Sequence, residues 1–130
     1  IPGSEHFRNV DRYATETAPG LLMLRVDAGL FFGNVEAVNE RIEDELAALP
    51  ATRHLVLVLS AVNAIDTSAL FGLAELNTSL RQRGVLLHLA EVKGPVMDRL
   101  KHSTLLQELN GRLFLSAAMA WNALAPGPGA

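Results

Sequence analysis

The segment Leu55–Leu59, with the sequence LVLVL, constrains the fold of this chain more than any other segment. All five residues are apolar, and two of them are β-branched valines, which favour strands. A strand with one face in water alternates apolar and polar residues, whereas a strand covered on both faces is apolar throughout. We therefore predict that Leu55–Leu59 is an interior strand of a mainly parallel sheet.

Helical patterns lie on both sides of this strand. Asn34 is a candidate cap for a first helix that Pro50 ends, and a second helix is predicted from Asp66 to Arg83, with Gly84 as its stop. The apolar stripe of the first helix comprises Val35, Val38, Ile42, Leu46 and Leu49. The inward stripe of the second comprises Leu70, Leu73, Leu76 and Leu80. Each stripe has helical spacing, which indicates one buried face.

The remaining segments continue this alternation. Strands are predicted at Val10–Glu16, Gly20–Ala28, Val85–Ala90 and Leu113–Leu115, and short helices at Gly94–Leu100, Thr104–Leu109 and after Ser116. The first two strands are close enough in sequence to pair antiparallel. The later alternation of strand and helix requires parallel pairing with right-handed crossovers. The predicted class is α/β, with a mixed, mainly parallel sheet of about five strands whose first strand is antiparallel.

Composition excludes several classes of function. At 130 residues the chain has the length of one domain, and its net charge is −3 without a basic cluster, which argues against nucleic acid as a partner. There is no cysteine, and no apolar run is long enough to span a membrane. His6, His54, His88 and His102 have no partner at metal-ligand spacing. No phosphate-binding loop or nucleophile motif is present, so we expect no metal, no cofactor and no enzymatic activity.

The segment Asp66-Thr67-Ser68 follows the central strand and begins a helix. One interpretation is structural, because Asp66 can accept hydrogen bonds from amides of the first turn. The other is functional, because free amides at a helix start attract anions. A phosphate on Thr67 or Ser68 would accept hydrogen bonds from those amides and be repelled by Asp66. Phosphorylation could therefore rearrange the turn and act as a switch.

These residues, in this order of elements, resemble a STAS domain, the module of bacterial anti-sigma factor antagonists and of the C-terminal part of SulP/SLC26 anion transporters. The antagonist motif is similar to Asp-Ser-Ser-Gly-Leu, with its second serine phosphorylated. The matching positions here are Asp66, Thr67, Ser68, Ala69 and Leu70. The resemblance makes Ser68 the position of that serine, whereas Ala69 departs from the glycine of the motif.

The transporter branch resembles more of the chain. The segment PGSEHFRNV at 2–10 is similar to the lead from a membrane domain into its STAS domain, and LRVDAGLFFGNVE at 24–36 is similar to the strand-to-helix passage of that branch. The segment 100–124 is similar to its closing section. The resemblance implies a linker at 1–9 that follows a missing transmembrane domain, a STAS domain at 10–124 and a disordered tail at 125–130.

The resemblance also implies a function. We expect the cytoplasmic C-terminal STAS domain of a secondary transporter of sulfate, bicarbonate or related anions, with a role in regulation, folding or dimerisation. Its expected partners are the transmembrane domain of the same chain and a second copy, and family members have been linked to nucleotides and acyl carrier protein. The alternative is a free-standing anti-sigma factor antagonist switched by phosphorylation of Ser68. Candidate partner contacts are Trp121, Arg99, Lys101 and Arg112, and Trp121 could equally be a core anchor.

Overall fold

The computed structural model describes residues 13–26 and 35–126. Its strands are β1 (Tyr13–Ala18), β2 (Leu21–Val26), β3 (His54–Val58), β4 (Leu86–Ala90) and β5 (Leu113–Phe114). Its helices are α1 (Val35–Ala48), α2 (Thr67–Gln82), α3 (Gly94–Lys101), α4 (Leu105–Glu108) and α5 (Ala117–Leu124). The predicted α/β class is confirmed, because strands and helices alternate along the chain from β2 onward.

The five strands form one sheet in the order β1-β2-β3-β4-β5. The strands β1 and β2 pair antiparallel through a tight turn in which Gly20 has a φ of 78°, a value that glycine adopts without strain. All other pairs are parallel. The central position of β3 and the antiparallel first strand confirm both sequence predictions.

All crossover helices cover the same face of the sheet. A right-handed crossover between neighbouring parallel strands places its helix on one fixed side, and every parallel step here goes in the same direction. This face, which we call the helical face, carries Leu22, Leu24, Leu55, Leu57, Leu59, Leu87 and Leu89. The helices contribute Val38, Ile42, Leu46, Leu73, Leu80, Val96, Leu100 and Leu105 to the same core.

The opposite face has a smaller core, and we call it the α5 face. Its strand residues are Leu21, Met23, Val56, Val58 and Ala90, and its helix residues are Ala117 and Ala120 of α5. Phe114, Trp121, Leu124 and Ala125 pack at its margin and are partly buried. Because the two cores take alternate residues of the same strands, β3 must be apolar at nearly every position.

Most helix and strand boundaries predicted from the sequence lie within three residues of those in the structure. β1 extends to Ala18 rather than ending at Glu16, since the turn needs only Pro19 and Gly20. The stop at Gly84 is confirmed, with a φ of 76°. Ser116 caps α5 as predicted, accepting a hydrogen bond from the Met119 amide. The predicted Asn34 cap, the linker at 1–9 and residues 127–130 lie outside the described residues.

Candidate functional site

The site begins at the turn between β3 and α2. Asp66 has an extended backbone, with a φ of −95° and a ψ of 175°, and its Oδ1 accepts a hydrogen bond of 2.8 Å from the Ala69 amide. This is the geometry of a helix N-cap. Ala69 itself is fully buried in the core of the helical face. The structural interpretation of Asp66 is therefore confirmed.

The hydroxyl groups of the predicted segment are available to solvent. Thr67 and Ser68 are both exposed in the first turn of α2. The Arg99 Nη2 donates a hydrogen bond of 3.2 Å to the Thr67 Oγ1. Arg99 belongs to α3, so the fold brings together two residues that are 32 positions apart. Among the described residues, Arg99 makes no ion pair, which leaves a guanidinium beside a helix N-terminus.

An open groove of about 370 Å³ continues from this point between α2 and the segment from α3 to α4. Its residues are Thr67, Leu70, Phe71, Ala74, Arg99, His102, Ser103, Thr104 and Leu105. Phe71 is 66% exposed, which is unusual for a large aromatic side chain. The groove therefore offers an apolar wall with Arg99 and His102 at its side.

A second group of residues was missed by the sequence analysis. His54 and His88, on neighbouring strands, approach each other with 3.1 Å between Nδ1 of His54 and Nε2 of His88. The Nδ1 of His88 accepts a hydrogen bond of 2.9 Å from the Arg112 amide. Strand register brings the two rings together, and sequence spacing does not reveal register.

The environment of this pair favours neutral imidazoles. His88 is 2% exposed, and burial, followed by the positive charges of His54 and Arg112, lowers its pKa from 6.5 to about 4. The pKa of His54 is also lowered, by burial and then by Arg53 and Arg112. Neither histidine is near Ser68. His54 begins β3, whereas Ser68 follows the opposite end of that strand, and His88 is the register partner of Val56 on the α5 face. This separation leaves Ser68 without either ring as a general base.

The other predicted contact residues lie apart. Arg112 is stacked over the Phe114 ring, with its Cζ 4.7 Å from the ring centroid, beside His88 and the α5 face. Lys101 is exposed in the last turn of α3, and Trp121 is half-buried against the α5 face. The structure thus brings Arg99 to the predicted segment and leaves Lys101, Arg112 and Trp121 elsewhere. Their role as partner contacts stays a prediction.

Two absences among residues 13–26 and 35–126 concern metal binding and membrane spans. Within those ranges, no three histidine or acidic side chains converge as a metal site would require. No helix in the same ranges combines the length and apolar character of a membrane span.

Comparison with known proteins agrees with this fold. The family model described as "STAS domain" matches residues 12–120. Sulfate transporter 1.3 of Arabidopsis thaliana is 36% identical over 138 aligned positions, which cover 97% of this chain and 21% of the plant protein. The chain thus spans about one fifth of the length of this relative.

Solved structures show the same architecture. A candidate anti-sigma factor antagonist from Thermotoga maritima superposes with a TM-score of 0.73 at 18% identity, covering 86% of this chain and 93% of that one. The murine anion transporter Slc26a9, in its inward-facing state, gives a TM-score of 0.66 at 20% identity, covering 83% of this chain and 18% of the transporter. At these identities the structures establish the fold alone. With its family model, its plant relative and its fold in agreement, the chain belongs to the STAS domain family and is similar in sequence to the corresponding part of sulfate transporters.

Proposed function

We propose that this chain is the cytoplasmic C-terminal STAS domain of a secondary transporter of sulfate or a related anion. The observation that carries the proposal is the 36% identity to a sulfate transporter along nearly the whole chain. The plant relative is about five times longer, which leaves room for a membrane domain that carries out transport. In this proposal the domain regulates, folds or dimerises the transporter.

The surface of the domain supports a binding role. The groove between α2 and α3 carries the exposed Phe71 beside the Arg99 guanidinium, and a large exposed aromatic residue is typical of a contact surface. We propose that this groove contacts the transmembrane domain of the same chain or a second copy. Nucleotides and acyl carrier protein stay predictions without assigned residues.

Transport by the full-length protein tests the proposal. Uptake of radiolabelled sulfate into proteoliposomes is measured for the intact protein, for a form without residues 13–126 and for Phe71→Asp. We expect uptake by the intact protein and a marked loss for both altered forms. Thr17→Asp is the control, since Thr17 is exposed on β1, away from the groove. An intact protein that moves no anion contradicts the transporter proposal, whereas full uptake by Phe71→Asp contradicts only the role of the groove.

The cytoplasmic location has its own test. The chain contains no cysteine, so Ser68→Cys provides a labelling site in a full-length protein whose other cysteines have been replaced. A maleimide that cannot cross membranes is expected to label Cys at this position in inverted vesicles and to leave right-side-out vesicles unlabelled. The reverse pattern would place the domain outside the cell.

A phosphorylation switch is the second candidate function. Ser68 is exposed in the first turn of α2, where backbone amides lack helical partners. Arg99 contacts Thr67, the residue before Ser68. A phosphate on Ser68 would gain these donors and be repelled by Asp66. Incubation with a cognate kinase followed by mass spectrometry tests this function, with Ser68→Ala as the control. Absence of phosphate from both Ser68 and Thr67 would rule it out.

A further inference from the structure

The last part of the fold, Gly111–Leu124, is attached to the sheet by few contacts, and we call it the C-terminal arm. Its strand β5 has only two residues, paired as Leu89 with Leu113 and Ala90 with Phe114. Its helix α5 has eight residues, four of which are alanine. Such a segment buries little apolar surface, so its few polar contacts matter for its position.

The arm is held by His88, in β4, and by Glu91, which directly follows β4. At one end, the His88 Nδ1 accepts the Arg112 amide at 2.9 Å, next to the backbone bond from the Leu89 amide to the Arg112 carbonyl. At the other end, Glu91 has a φ of 58°, which is rare for a residue with a side chain. Its Oε2 accepts the Ala117 amide at 2.7 Å, at the start of α5.

The hydrogen bonds define the protonation state of the histidine pair. The Arg112 amide is a donor, so the Nδ1 of His88 must carry a lone pair. In a neutral ring the hydrogen is then on Nε2, which donates to the Nδ1 of His54. A proton added to the Nδ1 of His88 removes the acceptor of the Arg112 amide. A proton on the Nδ1 of His54 would face the hydrogen on the Nε2 of His88, so that two donors would meet without an acceptor.

We propose that the His54–His88 pair is an acid-sensitive latch that holds the C-terminal arm against the sheet and releases it when either ring gains a proton. The charged groups acting on the pair have the same sign: Arg53 lies beside His54, and Arg112 lies beside His88. The neighbours on the adjacent strands are apolar: Leu21 and Leu86 lie beside His54, Val56 lies beside His88, and the Phe114 ring also contacts His88. A proton added to either histidine is therefore repelled by the neighbouring positive charges.

Release also follows from the close packing of the latch. A Cβ on Gly111 would lie 2.7 Å from the His88 Nδ1 and still closer to the Leu87 carbonyl. Gly111 is thus packed directly against His88 and the Leu87 carbonyl, so we expect a protonated His88 to displace this start of the arm. With the His88 pKa moving from about 4 when docked to 6.5 when exposed, the opening constant should rise about 20-fold from pH 7 to pH 5.

Amide hydrogen exchange of the chain, followed by NMR between pH 7 and pH 5, tests the latch. Protection factors, corrected for intrinsic exchange, are expected to fall about 20-fold at Arg112, Glu91 and Ala117 and to lie well below that of Leu57 in β3 at every pH, because the arm opens without global unfolding. The single tryptophan, Trp121 on α5, gives a parallel readout by fluorescence. Equal protection factors at the arm and at Leu57 would overturn the proposal, because the arm would then open only by global unfolding.

Three further measurements separate the latch from a structural role. Nitrogen NMR of the imidazoles at pH 7 is expected to show His88 protonated at Nε2, and the other tautomer would contradict the hydrogen bond from the His88 Nε2 to the His54 Nδ1. His88→Asn supplies an oxygen near the position of Nδ1 without a titrating ring, so the arm should lose its pH dependence. His54→Asn, at a half-buried position, should weaken that dependence. His102→Asn is the matched control, and a similar change there would also overturn the proposal.

Discussion

The carboxylate of Asp66 accepts the amide of Ala69 at 2.8 Å, which makes the first residue of the candidate switch segment a helix cap. The same turn leaves Ser68 exposed on the outer side of α2. Capping and switching therefore use different residues of one turn and are compatible. The cap fixes the backbone amides that a phosphate on Ser68 would meet.

Substitution of Asp66 should show how much the helix cap contributes to the free energy of unfolding. Asp66→Ala leaves the Ala69 amide without its side-chain acceptor, and we expect the free energy of unfolding to fall by about 1 kcal/mol. Asp66→Asn keeps an acceptor oxygen and should change stability by a few tenths of a kcal/mol. Urea unfolding followed by circular dichroism measures both, and equal effects of the two variants would contradict a capping role.

Asn77 is a buried polar residue of α2 that connects two elements of the helical face. Its Nδ2 donates to the Glu108 carbonyl at 2.8 Å, and its Oδ1 accepts the Asn110 amide at 3.5 Å. Asn77→Leu leaves both backbone groups without these partners, so the free energy of unfolding should fall by about 1–3 kcal/mol. Thr78→Ala, at the exposed neighbour, is the control. Similar stability of the two variants in thermal unfolding would show that these hydrogen bonds contribute little.

Gly111 and Gly94 form a matched pair of glycines. A Cβ on Gly111 would overlap the Leu87 carbonyl, whereas a Cβ on Gly94, at the start of α3, meets nothing within 4 Å. We expect Gly111→Ala to lower the free energy of unfolding by about 2 kcal/mol or more through backbone displacement. Gly94→Ala should be neutral or slightly stabilising. Chemical unfolding tests this contrast, which would fail if both variants matched the parent chain.

The pH dependence of global stability follows from His88. Its pKa is lower in the folded state, about 4, than its ordinary value of 6.5, so the unfolded chain binds more protons between these values. Its contribution is complete above pH 6.5 and is lost as the pH falls towards 4. From pH 7 to pH 5 the expected loss is about 2 kcal/mol. Urea unfolding of the parent chain and His88→Asn measures it, and identical pH dependence of the two would contradict it.

The amino-acid sequence was sufficient to predict the elements and their order. The apolar segment at Leu55–Leu59 predicted a strand between two cores, and the structure places its residues alternately in both. Turn residues such as Gly84 and the Ser116 cap act through neighbouring backbone atoms, so their effect is visible locally. The segment Asp66-Thr67-Ser68 was found for the same reason.

Only the tertiary structure decided which distant side chains meet. Arg99 reaches Thr67 because α3 packs beside α2, and His54 meets His88 because β3 and β4 pair in one particular register. A shift of one residue in that register would turn a histidine to the other face, and no local pattern encodes the choice. The sequence alone determined the architecture through local periodicity. Packing and strand register, which depend on the whole chain, produced the groove at Phe71 and the histidine pair beneath the C-terminal arm.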